Sequence, residues 1–362
     1  MKKGFAHGGN IEEVSRTFEI GEEQITDFSS NVNPFDLPHG VLRAIDSNTR
    51  NISRYPDRES LKLKGALGKH LNMNIKHIVI GNGSVDLIYR AAYALNPRTG
   101  LIIAPAFGEY ENALLTVGAK MDFLQLKEKD MFTLSIQEVI ERAAGNDIVF
   151  LCNPNNPTGM LVARDDIIFL VKKLQRKKTM VVLDEAFIEL AEDQSLVEVA
   201  VKSTNLLVLR SMTKFFGLAG LRLGYAVGNA KLIKQIQNVG PPWAVNIFAQ
   251  AVGEAIIDDE EFKNRSMTLL LKERDFLHQG LGRIRGLKPF QSRANFILVK
   301  IEGPLSSGRL QRALIKHGLL IRDCSNFRGL NSKYIRVAVR KREENLRLIG
   351  EIEKIFDEES KK

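Results

Sequence analysis

Three residue types at fixed spacing stand out in "SMTKFFGLAGLRLGY", Ser211 to Tyr225. Lys214 sits in a mostly apolar segment. Ser211 precedes it by three residues, and Arg222 follows eight residues later. A lysine among apolar side chains loses hydration, which favours its neutral amine. A neutral amine attacks carbonyls and forms a Schiff base. A hydroxyl and a guanidinium nearby suit a phosphate, because the planar guanidinium pairs with two phosphate oxygens at once. Taken alone, such a lysine packs its stem and sends its head to water. Companion groups elsewhere in the chain change that balance.

The first companion is Asp184, which ends the apolar run "MVVLD". A buried carboxylate needs a donor or cation beside it. Without one, a strand-end or helix-capping role is the simpler reading. "GNGS" is the second. Gly83 lets backbone approach closely, and Ser84 opens the stretch "VDLIYRAAYAL", whose helical N-terminus offers amides to a phosphate. Phe107, after "GLIIAP", can stack on a flat ring or fill a core. Asn156, in the proline-rich "NPNNPTG", can donate through its amide. A protonated pyridine nitrogen would be a partner for Asp184, as in pyridoxal phosphate (PLP) sites, and a phenolate oxygen on such a cofactor would be an acceptor for Asn156.

These groups need a frame that brings them to one edge. Between residues 75 and 230, short apolar runs alternate with amphipathic stretches: "HIVIG", "GLIIAP", "DIVFLC", "MVVLDEA", "NLLVLRS" and "GYAVG". Several runs are continuous, as strands covered on both faces require. Helices are expected between them, as over Arg164–Lys178. The expectation is an α/β layered protein with a mainly parallel sheet, and ligands gather at the carboxyl ends of such strands. A helix from about Val245 to Gln279 is expected to lead into a smaller α+β unit, with helices near Ser307–His317 and Glu343–Glu358. Residues 1–44 read as an arm, 45–250 as the large domain and 251–362 as the small one.

Bulk properties agree. The 362 residues suffice for two domains, with 44% hydrophobic and 26% charged residues. No apolar run is long enough to span a membrane. The two cysteines, Cys152 and Cys324, have no metal-binding or redox spacing, so a reduced, cytoplasmic setting is expected and no metal. The net charge of +9 is spread along the chain rather than gathered in an arm. It favours anionic small molecules over nucleic acid.

"NPNNPTG", "LDEAF" and "SMTKFFGLAGLRLGY", in that order and spacing, resemble the fold-type I PLP enzymes of the aspartate-aminotransferase superfamily. The resemblance spans nearly the whole chain. It implies a large domain with a mainly parallel seven-stranded sheet flanked by helices, and a smaller α+β domain. It implies that Lys214 is the Schiff-base lysine, Asp184 the partner of the pyridine nitrogen and Asn156 the partner of the phenolic oxygen. Gly83, Ser84, Ser211, Thr213 and Arg222 would hold the cofactor phosphate, with Phe107 against the ring. Arg336, in "YIRVAVR", would take a substrate carboxylate. Tyr55, in "RYPD", would reach the cofactor phosphate of a neighbouring subunit, which implies a homodimer. Where many relatives carry "DEAY", this chain has Phe187, which cannot donate, so Asn156 would carry more of that role.

"HGGN" (7–10), "DFSSNVNP" (27–34), "APAFGEY" (104–110) and "IRDCSNFRGL" (321–330) together look like the threonine-phosphate decarboxylases of cobalamin biosynthesis. Histidinol-phosphate aminotransferases are their close relatives and the alternative. A phosphorylated amino-acid substrate follows from the first reading, whether phosphothreonine or phosphoserine. His7, Asn33, Asn156, Arg322, Arg328 and Arg336 are the candidates for holding it. The third possibility, a PLP-sensing regulator or basic nucleic-acid binder, needs a DNA-binding module for which no spare N-terminal segment is seen.

Overall fold

Continuous apolar runs can only be buried in a sheet covered on both sides, and that is where they lie. A computed structural model describes residues 8–360. Its strands, in chain order, are β1 (Thr26–Asp27), β2 (Ile78–Asn82), β3 (Thr99–Ala104), β4 (Lys120–Gln125), β5 (Ile148–Cys152), β6 (Met180–Asp184), β7 (Leu206–Ser211), β8 (Leu223–Val227), β9 (Leu287–Pro289), β10 (Phe296–Ile301), β11 (Leu319–Leu320), β12 (Arg322–Asp323) and β13 (Tyr334–Ala338).

Seven of them form the central sheet in the order β2-β8-β7-β6-β5-β3-β4. Only β8 runs against its neighbours. The other six therefore end at one edge. Side chains alternate across the sheet: Val181, Leu183 and Val208 pack into one apolar layer, and Val182, Leu207 and Leu209 into the other. One strand escapes the apolar-run pattern. β4, "KMDFLQ", is an edge strand with partly exposed positions, so it carries Lys120 and Asp122 instead of a continuous run.

A second sheet, β12-β13-β10-β9, is antiparallel throughout. The helices Glu260–Arg283, Ser307–Ile315 and Arg342–Ser360 share its apolar core. The helix expected over Val245–Gln279 is two helices, Ile247–Ile256 and Glu260–Arg283. The break falls at Asp258-Asp259, where the Asp259 carboxylate accepts the Phe262 amide at 3.0 Å and starts a new helix. No described helix is long and apolar enough to cross a membrane.

The arm is fastened at both ends of its path. β1 pairs in parallel with β11, and the fully buried Phe28 bonds to Leu320 and Ala338 through its backbone. Further on, the Asn33 amide donates to the Lys214 carbonyl at 2.9 Å. The arm thus joins the second sheet to the segment holding the lysine.

Candidate active site

The common strand edge opens into a cavity of about 220 Å³. Lys214, Asp184, Ser84, Phe107, Asn156, Ser211, Thr213, Arg222, Arg322 and Arg336 all border it. They come from well-separated stretches of chain: Ser84, Phe107, Asn156, Asp184 and Lys214 gather because β2, β3, β5, β6 and β7 share one direction, and Arg322 and Arg336 come from the second sheet.

The lysine lies just beyond β7, where burial and the positive Arg336 and Arg222 nearby lower its pKa to about 8. Its amine makes no hydrogen bond or ion pair with any described residue. A substantial fraction is therefore neutral at physiological pH.

Asp184 ends β6, opposite Cys152 of β5 and Leu209 of β7. Burial pushes its carboxyl pKa up, and the charge of Lys214 opposes this in small part. Two donors partly offset this: the Tyr110 hydroxyl at 2.6 Å and the Ala186 amide at 3.0 Å. A cationic ring nitrogen is the partner this carboxylate lacks.

The phosphate cradle is shaped by glycine. The helix Gly83–Leu95 begins without a side-chain cap, so its first amides are open to an anion. Gly83 has φ +78°, and a Cβ there would stand 2.7 Å from an Arg222 nitrogen. At Gly224 a Cβ would stand 2.6 Å from the Ser84 amide. Both positions must be glycine for β8 and the helix start to approach. Ser211 and Thr213 complete the floor, their hydroxyls 2.7 Å apart. Neutral hydroxyls, amides and one guanidinium fit a phosphate dianion, and the uncompensated Asp184 fits a pyridinium. The residues present therefore fit PLP.

On the other wall, Arg336 is buried with no carboxylate partner among the described residues. One of its terminal nitrogens donates to the Asn156 side-chain oxygen and the other to the Ser29 carbonyl at 2.7 Å. Its Nε has no partner. Burial lowers its pKa to about 10, so an incoming carboxylate would strengthen its charge. Arg322 is its register partner across β12 and β13, so the two guanidinium groups share one face. Arg322 donates to Asn326 at 2.7 Å and lies over the Phe327 ring.

Some expected residues are elsewhere. Arg328 does not border this cavity. It forms an ion pair with Glu111 at 3.0 Å and lies 3.8 Å over the Phe123 ring. The turn at Gly329 (φ +83°) aims Phe327 at the site and Arg328 at an adjoining cavity. Asn33 is also not a lining residue. Its amide donates to the Phe215 carbonyl at 2.8 Å and to Ser266 at 3.0 Å, which anchors the segment after Lys214. Gly83 shapes the cradle without lining the cavity. Tyr55 is 79% exposed and stacks on Trp243 at 4.5 Å, outside the cavity. His7 lies outside the described residues.

Tyr110 went unrecognised in the sequence. It stands three residues after Phe107, packs edge-on to it and stacks on Phe150. Its signal was the i, i+3 pair of aromatics at a strand-to-helix junction. Ser29 and Asn31 of the arm also border the cavity. Tyr110→Phe removes a bond to a charged group, which typically contributes about 1.5–3 kcal/mol. It is expected to lower kcat about tenfold with KM little changed, as steady-state kinetics would show. An unchanged kcat would make Tyr110 a packing residue only.

The family described as aminotransferase class I and II matches residues 23–352. The chain belongs to that family. It is 35% identical over 353 residues to the threonine-phosphate decarboxylase of Salmonella typhimurium, covering 97% of this chain and 96% of that protein. Among solved structures, the L-threonine-O-3-phosphate decarboxylase of Porphyromonas gingivalis superposes with a TM-score of 0.82 at 26% identity, over 91% of this chain and 99% of that one. The histidinol-phosphate aminotransferase of Clostridium acetobutylicum gives 0.86 at 30% identity, with the same coverage of each. The seven-stranded sheet with its flanking helices is the fold-type I architecture. Two activities sit on it in these relatives, so residues must choose between them.

Proposed function

We propose that the protein is a PLP-dependent decarboxylase that converts L-threonine O-3-phosphate to (R)-1-amino-2-propanol phosphate and carbon dioxide for corrinoid synthesis. One observation carries this most: Arg336 and Arg322 are buried side by side on one wall, facing a cavity that also holds Lys214 and Asp184. A small substrate with both a carboxylate and a phosphate uses both cations. The identity to the decarboxylase from Salmonella supports the same choice.

When bound, the cofactor accepts the electron pair left by the broken Cα bond. The chain does the rest. Lys214 would hold the cofactor covalently, Asp184 would keep a positive charge on the ring nitrogen, and Ser84, Ser211, Thr213 and Arg222 would hold its phosphate. Asn156 offers its amide to the phenolic oxygen. Phe187 packs edge-on against Phe296 and adds no donor. Arg336, braced by Asn156 and Ser29, grips the substrate carboxylate and fixes which Cα bond is strained. Arg322 takes the substrate phosphate. Freed from the cofactor and protonated, Lys214 would be placed to return a proton to Cα in place of the lost carboxylate.

We also infer a homodimer in which Tyr55 serves the neighbouring site. Its ring is mostly exposed and does not border the cavity that holds Lys214 of its own chain. The two cysteines are buried and free, which suits a reducing, cytoplasmic setting.

Product analysis tests the reaction. O-phospho-L-threonine should give carbon dioxide and an amine. Transamination of histidinol phosphate without carbon dioxide release from O-phosphothreonine would overturn the decarboxylase in favour of the aminotransferase. Arg322→Ala tests the phosphate contact. It should lower kcat/KM for O-phosphothreonine at least roughly tenfold, the scale of one charge-assisted hydrogen bond. Slow turnover of free threonine should not change, since that substrate presents no phosphate. Equal losses on both substrates would show that Arg322 is structural.

A further inference from the structure

A second cavity, of about 250 Å³, lies away from the reaction site, beneath the loop after the helix Ala230–Asn238. Its walls carry Arg58, Lys64, Arg90 and Lys234, with Glu59 as the one acidic side chain. Arg90 is already paired with Asp86 at 2.6 Å. Lys64 is different. It is 5% exposed, and among the described residues no carboxylate forms an ion pair with its ammonium. Its one hydrogen bond is a long 3.4 Å contact to Gln237. Burial lowers its pKa, with Lys234 adding to the effect and Glu59 and Asp57 opposing it. An isolated buried ammonium is costly, so something absent from the described chain should compensate it.

We propose that this cavity is an oxyanion site for inorganic phosphate. Lys64 supplies a buried charge at the floor. Arg58 and Lys234, both exposed, supply charge at the mouth, and Gln237 adds an amide. With Arg90 paired, three cations face the one carboxylate of Glu59, a surplus of two positive charges that matches a dianion. The loop is drawn tightly over the site: a Cβ at Gly240 would stand 2.4 Å from an Arg90 nitrogen. Arg58 follows Tyr55 by three residues, and Gly240 precedes Trp243 by three. A bound phosphate therefore ties together the two loops that present the Tyr55–Trp243 stack. This cavity shares no lining residue with the one that holds Lys214.

The test is thermal unfolding of the full-length, PLP-loaded protein in phosphate and in chloride at matched ionic strength. Lys64→Met is the variant. In chloride it should melt at or above the wild type, since an uncompensated buried charge is gone. Phosphate should raise the wild-type Tm more than the variant's. Phosphate bound at the reaction site shifts both proteins alike and cancels in this comparison. Equilibrium dialysis with labelled phosphate should show a site whose Kd rises about tenfold in Lys64→Met, the scale of one charge-assisted contact, and which persists in Arg322→Ala. Equal phosphate shifts in the two proteins would overturn the proposal. So would a variant that binds phosphate normally but self-associates more weakly, because the cavity would then be filled by a second chain. Should Lys64→Met fail to fold, the exposed Lys234→Gln must weaken the same dialysis site, and an unchanged Kd there overturns the proposal.

Discussion

Lys214→Ala should fold, bind PLP without covalent attachment and lose turnover by at least roughly 10²–10⁴-fold, the contribution of one positioned proton-transfer group. The loss has two sources. On the proposed function the amine would be both the covalent tether of the cofactor and the donor of a proton to Cα. Folding should survive because Lys214 gives only its backbone to the structure, bonding to Asn33 and Gly217. Borohydride reduction and peptide mapping should place the label on Lys214 in the wild type, and a label on another lysine would sink the assignment. The pH dependence follows from the amine. In the cofactor-free protein its pKa is lowered to about 8 from 10.5. Covalent capture of added PLP needs the neutral form. The capture rate should therefore rise with pH and level off above about pH 8. A lysine left at its ordinary pKa would give a rate still climbing at pH 10.

The chemistry of this site was legible where a single residue type is irreplaceable. Asp184 ends a strand, Lys214 follows one, and Arg222 stands just before the antiparallel β8, so all three come to the same edge. Positions defined by direction rather than type were not legible. Arg328 and Phe327 are neighbours in the chain, yet the turn at Gly329 sends one to an ion pair with Glu111 and the other to the cavity. Asn33 lies in a stretch close to the site, but its side chain faces Phe215 and Ser266. Tyr110 reads as a core aromatic, and only the fold brings its hydroxyl to Asp184. The break at Asp258-Asp259 was hidden for a different reason. Apolar spacing continues through it, and the cap that restarts the helix is a single carboxylate. Strand β4 was hidden because an edge strand needs no continuous apolar run.

Asp184→Asn should keep the fold and most cofactor binding and slow turnover by about a hundredfold or more, the scale of losing a preorganised charge partner where charge develops. The carboxylate is held in a place that penalises it: it is buried, and its pKa stays raised even with the charge of Lys214 nearby. That arrangement makes sense if a positive ring nitrogen arrives with the cofactor. Asparagine keeps the shape and can still bond the Ala186 amide, but it carries no charge to hold that nitrogen protonated. The substitution also removes a stability cost, since a neutral amide is cheaper to bury than a carboxylate. The cofactor-free variant should therefore melt no lower than the cofactor-free wild type, while PLP stabilises it less. These opposite directions separate the two roles of Asp184. A structural carboxylate would give lower stability with near-normal turnover. A partner of the ring nitrogen gives a stable protein, an altered absorption spectrum of the bound cofactor and a large loss in kcat.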